Sequence, residues 1–332
     1  MRRGQWLQVS TDMQKNSAFC SICTTNYTPY SGLLSLSLKN AGQNETHYVL
    51  IVDFEEKYRE VIKKFEFHPV FMSELLIPGV DKLIEKYTVF ELVNVLKPFF
   101  MEWLLKKHPE INKLVYLDAD TYVYAPLNEI FDYLDKNSRI SVALTPHVCD
   151  YKASIAISDY SIEQLLFKYG LFNGGFYAIK NDQNALEFFD WHKRKLSKFG
   201  FNNLDLCMFA DQKILDFAPL LFEFVGIFRN KSYNVAFWNY FEREIEFKNS
   251  SYYIENKKLV FFHFSNLRID EQDMNNSNLA YLSLRNKKVL QKMCFGYWMN
   301  LKKLGYDKII TIGYRYKNRY KKPSLLVQTP SK

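Results

Sequence analysis

Short apolar runs alternate along this chain with longer stretches of helical spacing, the pattern of an α/β protein rather than of an all-helical or all-strand one. Residues 1–17 are polar and aperiodic and read as an arm. Ala18 to Thr24 is the first expected strand, and a polar turn, Thr24 to Tyr30, leads into a helix over Tyr30 to Lys39. Tyr48 to Val52 is a second strand closing on Asp53, followed by a charged amphipathic helix over Glu55 to Phe65. Phe90 to Lys107 places Leu92, Leu96, Phe99, Phe100 and Trp103 at helical spacing around Pro98. Proline disfavours helical geometry in its predecessor, so Lys97 is expected at a kink or boundary.

In the second half, the apolar run Leu114 to Leu117 reads as a buried strand that ends in two acids, Asp118 and Asp120. A helix from Pro126 to Leu134 and a strand over Ile140 to Leu144 follow. The long polar loop Thr145 to Ser161 reads as a substrate-facing lid or wall. Leu171 to Ile179 is a strand opening on Gly174 and Gly175, which permit close approach of a ligand to the backbone. Asn184 to Phe199 is a helix, Asp211 and Gln212 stand at a helix start, and Phe222 to Ile227 is a strand before the polar-aromatic cluster Tyr233 to Asn239. Leu259 to Phe262 is the last clear strand and ends at His263. The expected organisation is an arm over 1–17, a main domain over 18–270, and a C-terminal appendage over 271–332. That appendage has helical stretches within Leu279 to Lys303 and a basic aromatic tail.

Composition narrows the class. With 332 residues, 48% of them hydrophobic and 17% aromatic, the chain can bury a sizeable core and disorder is not expected. Five cysteines, an odd number scattered along the chain, fit reduced thiols and a cytoplasmic location. Cys20 and Cys23 form a C-x-x-C, but an odd separation on a strand sends them to opposite faces, so they read as two strand thiols. No apolar segment follows Arg2 and Arg3, and no window approaches the ~18 apolar residues of a membrane span. The net charge of +8 is concentrated towards the end. Residues 314–322 could hold the protein peripherally on an anionic membrane surface, or form a solvated tail. Nucleic-acid binding is not expected, because the aromatics are interleaved as core and no zinc or base-stacking module appears.

Several residues have the chemistry of a site. If the backbone stays extended across Ala119, Asp118 and Asp120 project from one side, and two such acids want a cation such as Mg²⁺ or Mn²⁺. The turn holding Thr24, Asn26 and Tyr27 joins a strand to a helix N-terminus, which makes either a nucleotide pocket or an ordinary connection. Asp53 at a strand end suits a base or ribose hydroxyl, or a helix cap. Lys97 on an apolar element either reaches a phosphate or snorkels. Asn173 can donate and accept beside the glycines, and Asp211 and Gln212 offer an adjacent acceptor and amide. His263 alone is either a ligand or a surface or core histidine.

In order, the strand with Leu117-Asp-Ala-Asp120, the Phe172-Asn-Gly-Gly175 strand, the Asp211-Gln212 pair and the strand-closing His263 resemble the glycosyltransferases of GT-A fold. Within that fold they resemble the family 8 type and related bacterial polysaccharide and lipopolysaccharide sugar transferases. The resemblance spans about Phe19 to Asn266. It implies a mixed, mostly parallel sheet flanked by helices. It also implies a divalent metal, usually Mn²⁺, held by Asp118, Asp120 and His263 on the diphosphate of a nucleotide sugar, commonly UDP-linked. By the same likeness Asn173, Gly174, Asp211 and Gln212 contact the donor sugar, and Thr24, Asn26 and Tyr27 surround the base. The family usually has a glycine and then a phosphate-touching lysine after the histidine. Here Asn266 and Leu267-Arg268 stand instead, with Arg268 as the substitute cation. The implied reaction moves a hexose to a hydroxyl of a glycan or lipid-linked glycan acceptor with retention. Because a glutamine amide is a poor nucleophile, front-face attack is the easier route. The alternatives are inversion with Asp211 as base, and a nucleotide-sugar-binding protein without catalysis.

Overall fold

The computed structural model describes residues 16–150, 162–265, 267 and 287–321. Seven strands build its main sheet. Six of them, in chain order, are β1 (Asn16–Cys23), β2 (Thr46–Ile51), β3 (His68–Phe71), β4 (Ile111–Leu117), β6 (Val142–Pro146) and β7 (Phe172–Lys180), while β5 (Thr121–Val123) lies outside this sheet. The sheet runs Val225–Ile227, β6, β7, β4, β1, β2, β3. β7 is antiparallel to both its neighbours and every other pairing is parallel.

The apolar run of β4 is continuous because both of its faces are covered. Leu114 and Tyr116 enter one core with Leu92, Leu96 and Phe100, while Val115 and Leu117 enter another with Leu34, Leu38 and Ile130. Alternation on a strand thus divides one run between two helical layers. Cys20 and Cys23 obey the same rule: both are free and buried, in different clusters. Nineteen residues, Val89–Lys107, form the long helix beside β4, started by Thr88 and Glu91 in a reciprocal capping box.

That helix corrects the expectation for Lys97. It runs unbroken through Pro98, so Lys97 sits mid-helix, held by the apolar face around it rather than by a kink. The helix expected over Glu55 to Phe65 is shorter, a single 3₁₀ turn and a four-residue helix Arg59–Ile62. β3 and the helix Val80–Lys86, absent from the sequence reading, follow it. Asn16 and Ser17, assigned to the arm, already belong to β1.

After β4 the chain turns. Thr121 N donates to Asp118 O at 3.2 Å, and β5 then pairs antiparallel with the strand Phe261–His263, setting His263 opposite Thr121. A late strand is thereby delivered beside the end of β4.

The C-terminal part packs on this body. Leu290, Met293 and Tyr297 of the helix Lys287–Lys303 share a core with Leu33, and Ile309 joins Cys23, Ile51 and Phe65. Beyond it the basic stretch is docked: Arg315 Nη1 donates to Phe54 O at 2.6 Å, Arg319 pairs with Asp81 at 2.9 Å, and Lys321 with Glu85 at 2.9 Å. Lys322 lies outside the described residues. No helix among them is long and apolar enough to cross a membrane.

Candidate active site

The acids after β4 converge with His263, though not by the route expected. Ala119 and Asp120 form a turn instead of an extended continuation, and antiparallel pairing of β5 brings His263 to them. His263 Nε2 lies 3.0 Å from Asp120 Oδ1 and 3.7 Å from Asp118 Oδ2. One ligand atom from each of the three residues lies within 4.8 Å of the others, a donor set of two carboxylates and an imidazole that fits a hard divalent cation. His263 is buried, whereas the Asp118 and Asp120 side chains are 28% and 24% exposed, so the cluster is open on its carboxylate side. Burial works against the charge on His263, but the neighbouring Asp120 and Asp118 outweigh it and raise the imidazole above its ordinary value. Burial likewise opposes the Asp120 charge, and His263 overcomes it and holds that carboxyl low.

Lys97 rises from the long helix to the same strand end. Its Nζ donates to Gly174 O at 2.8 Å and Asp211 Oδ2 at 2.9 Å, and lies 3.5 Å from Asp118 Oδ1 and 4.9 Å from the Tyr116 ring centre. The lysine expected to reach a phosphate is therefore fully buried and bonded within the protein. Burial works against its charge, but Asp118 and Asp211 together outweigh it and raise the ammonium above its ordinary value. Two acids share that one cation, and desolvation leaves the Asp211 carboxyl above its ordinary value despite Lys97.

The paired glycines have a reason the sequence did not give. A Cβ on Gly174 would collide with the Asp211 carboxylate, and one on Gly175 would stand 2.6 Å from both Asp118 Oδ2 and His263 Cε1. Close approach is required here by the site's own side chains.

A second set of polar groups joins the two halves of the site. Asn173 Oδ1 accepts from Gly175 N at 3.0 Å and from Asn234 Nδ2 at 3.0 Å, and Asn173 Nδ2 donates to Gln212 Oε1 at 2.9 Å. Gln212 Nε2 donates to Tyr169 O at 2.9 Å. Asn234 Oδ1 faces His263 Nδ1 at 3.2 Å. His147 Nε2 stands 3.3 Å from Asn173 Nδ2 and its Nδ1 stands 2.8 Å from Gly170 O; burial pushes this imidazole down to about 4. Sequence reasoning singled out neither His147 nor Asn234. One sat in a loop read as a lid, the other in a cluster read only as polar and aromatic.

The expected base-binding residues lie near the acids: burial, and then the charge of Asp120, raise the Tyr27 hydroxyl above its ordinary value. Thr24 Oγ1 donates to Asn26 Oδ1 at 2.6 Å, and Tyr27, 43% exposed, stacks on Tyr30 at 4.8 Å. Asp53 is not the cap of the helical turn that follows it, where Glu55 holds that position. Its Oδ1 accepts from Thr25 N at 2.7 Å and Thr25 Oγ1 at 2.9 Å, and its Oδ2 accepts from Arg315 N at 3.3 Å. Arg268 and Asn266 lie outside the described residues, as does most of the loop expected as a lid.

The fold has known counterparts. The galactosyltransferase LgtC, solved with donor and acceptor sugar analogues, superposes with a TM-score of 0.52 over 91% of this chain and 99% of that one, at 14% identity. An active-site mutant of LgtC gives 0.51 over 84% and 95%, at 12% identity. The fold is GT-A. In sequence, the chain is 27% identical over 263 residues to the uncharacterized protein YfnF of Bacillus subtilis (strain 168), covering 76% of this chain and 82% of that protein. It is 24% identical over 262 residues to YfnD of the same organism, covering 77% and 79%. No protein-family model matches the chain.

Proposed function

We propose that this GT-A protein is a retaining glycosyltransferase that moves a hexose from a nucleoside diphosphate sugar, UDP-linked, to a hydroxyl of a glycan or lipid-linked glycan. One observation carries the reading. The cation cluster Asp118, Asp120 and His263 adjoins the Asn173, Asp211 and Gln212 side chains at one end of the sheet. That adjacency gives a donor site with a diphosphate end and a sugar end.

Asp118, Asp120 and His263 would hold Mn²⁺ or Mg²⁺, which would supply Lewis-acid charge at the diphosphate. Lys97 supports Asp118 and Asp211 from beneath and keeps two neighbouring carboxylates from repelling each other. Asn173 and Asp211 orient the sugar hydroxyls and so limit the acceptor to one approach. Thr24, Asn26 and Tyr27 form the base end.

Retention by front-face attack is supported by what the two central side chains are bonded to. Gln212 is engaged at both ends of its amide, so it makes a poor nucleophile. Asp211 is almost fully buried with its Oδ2 engaged by Lys97, which leaves an incoming hydroxyl little access to it as a general base. Nucleotide sugars screened by thermal shift with and without Mn²⁺, followed by NMR of the product anomer, test the proposal. An inverted product removes the retaining route. Donor hydrolysis without any acceptor turnover, across cell-derived glycans, replaces transfer with a hydrolase or binding role.

A further inference from the structure

The direction of each hydrogen bond around Asn173 is fixed by backbone groups that have one role only. Gly175 N can only donate, so the Asn173 atom 3.0 Å away is its carbonyl oxygen. Asn234 must then present its NH₂ to that oxygen, which turns its own carbonyl towards His263. Gln212 anchors the other end in the same sense: its carbonyl accepts from Gly174 N at 3.3 Å and its NH₂ donates to Tyr169 O. Three backbone groups therefore dictate that His263 Nδ1 carries a hydrogen and donates to Asn234 Oδ1. In the neutral ring the lone pair then belongs to Nε2, which faces Asp118 and Asp120.

We propose that Asn234 is a positioning residue that fixes the ring orientation and tautomer of His263, so that Nε2 faces the cation cluster. Its backbone is suited to the task. Asn234 has φ +51°, in the left-handed region that asparagine tolerates better than most residues. The segment is clamped by Asn239 Nδ2 on Asn234 O at 2.9 Å and by the buried Arg243, whose Nη1 reaches Tyr233 O at 2.7 Å. Glu242 holds that guanidinium at 2.9 Å, with both side chains fully buried. An imidazole ligand whose other nitrogen is held in this way is pre-oriented for the cation. The cation itself rests on the function proposed above, whereas the direction of the Asn234 to His263 bond does not.

The test uses Asn234→Gly, which suits the positive φ and deletes both amide contacts, and Asn234→Asp, which keeps the acceptor for Nδ1–H and loses the donor to Asn173. Mn²⁺ binding to the full chain without donor is followed by the electron-paramagnetic signal of free Mn²⁺. The His263 tautomer is read from imidazole ¹⁵N shifts at alkaline pH. Asn234→Gly is expected to bind Mn²⁺ about 10–100-fold more weakly and to lose the Nδ1–H tautomer, while Asn234→Asp retains both. Native-like Mn²⁺ affinity in the glycine variant, or an unchanged tautomer, overturns the proposal. If the unaltered chain binds no Mn²⁺, the metal reading fails, and the ¹⁵N shifts of the unaltered chain and the glycine variant still decide what Asn234 does.

Discussion

Lys97 and Asp211, 114 residues apart in sequence, form an ion pair of 2.9 Å with both side chains almost completely removed from solvent. Such a pair contributes less to stability than it would lose if broken, because a partner left alone is a buried, uncompensated charge. Lys97→Met is expected to cost about 3–5 kcal/mol. Lys97→Met combined with Asp211→Asn is expected to recover part of that loss while remaining inactive. Urea midpoints for the single and double variants check this; equal destabilisation by both would mean that the charge of Asp211 is not what the lysine neutralises.

Gly175→Ala is expected to damage the site with little effect on the core. The added methyl meets Asp118 Oδ2 and His263 Cε1, so those side chains must move apart. Mn²⁺ affinity should drop by at least about tenfold, a loss of the size seen when a ligand's support is removed. Gly296→Ala, where a Cβ meets nothing within 4 Å, should leave Mn²⁺ binding unchanged. A titration of Mn²⁺ into the two variants, with melting temperature as the fold control, separates the outcomes.

Buried histidines set the acid limb of stability. Burial pushes His47 down to about 3, His147 to about 4 and His192 to about 3. The unfolded chain takes up these protons below about 6.5, and the folded chain refuses them. Their stabilising contribution is thus whole above that pH and is lost as pH falls towards 4, by up to roughly 1.4 kcal/mol per pH unit for each group. His263 runs the other way. Its folded value is raised, so its contribution is whole below about 6.5 and is lost as pH rises through that higher value. His192 is fully buried, and neither of its nitrogens has a hydrogen-bond partner among the described residues. His192→Phe should flatten the acid limb by one proton and make the protein more stable than the unaltered chain at pH 5. Denaturation midpoints at pH 5 and pH 7 measure it, and an unchanged slope would show that His192 is not among the groups responsible.

What the sequence made legible follows from local physics. β4, the helix beside it and β7 were readable because a doubly covered strand is apolar throughout and a long helix repeats its apolar face. Asp118, Asp120, Asn173, Asp211, Gln212 and His263 stood out through the order of their motifs, and the fold brings them to one end of the sheet. Asn234 was not, since its importance lies in a left-handed backbone and in contacts 29 and 61 residues away, which no local pattern carries. Lys97 was found but its partner was misjudged. An apolar helix announces a buried lysine without saying that Asp211 awaits it. The docking of residues 306–321 was likewise hidden, because a run of tyrosines and cations looks the same whether it faces solvent or Asp53, Asp81 and Glu85.

That docking makes Asp53 the joint between the expected base pocket and the C-terminal segment. One carboxylate oxygen holds the Thr25 turn and the other accepts from Arg315 N, 262 residues away in sequence. Asp53→Ala removes both acceptors at once and leaves the buried Thr25 N–H and hydroxyl to find others, at a cost of about 1–3 kcal/mol. Both segments should then open more often, because each loses a hydrogen bond to this side chain. Hydrogen exchange of Thr25 to Tyr27 and of Tyr314 to Tyr316 is expected to speed up together, while β4 keeps its protection. Affinity for a nucleoside diphosphate should fall in the same variant if the Thr24 to Tyr27 turn is the base end. Faster exchange in the turn alone would show that Ile309 and its apolar neighbours hold the C-terminal segment without help from Asp53.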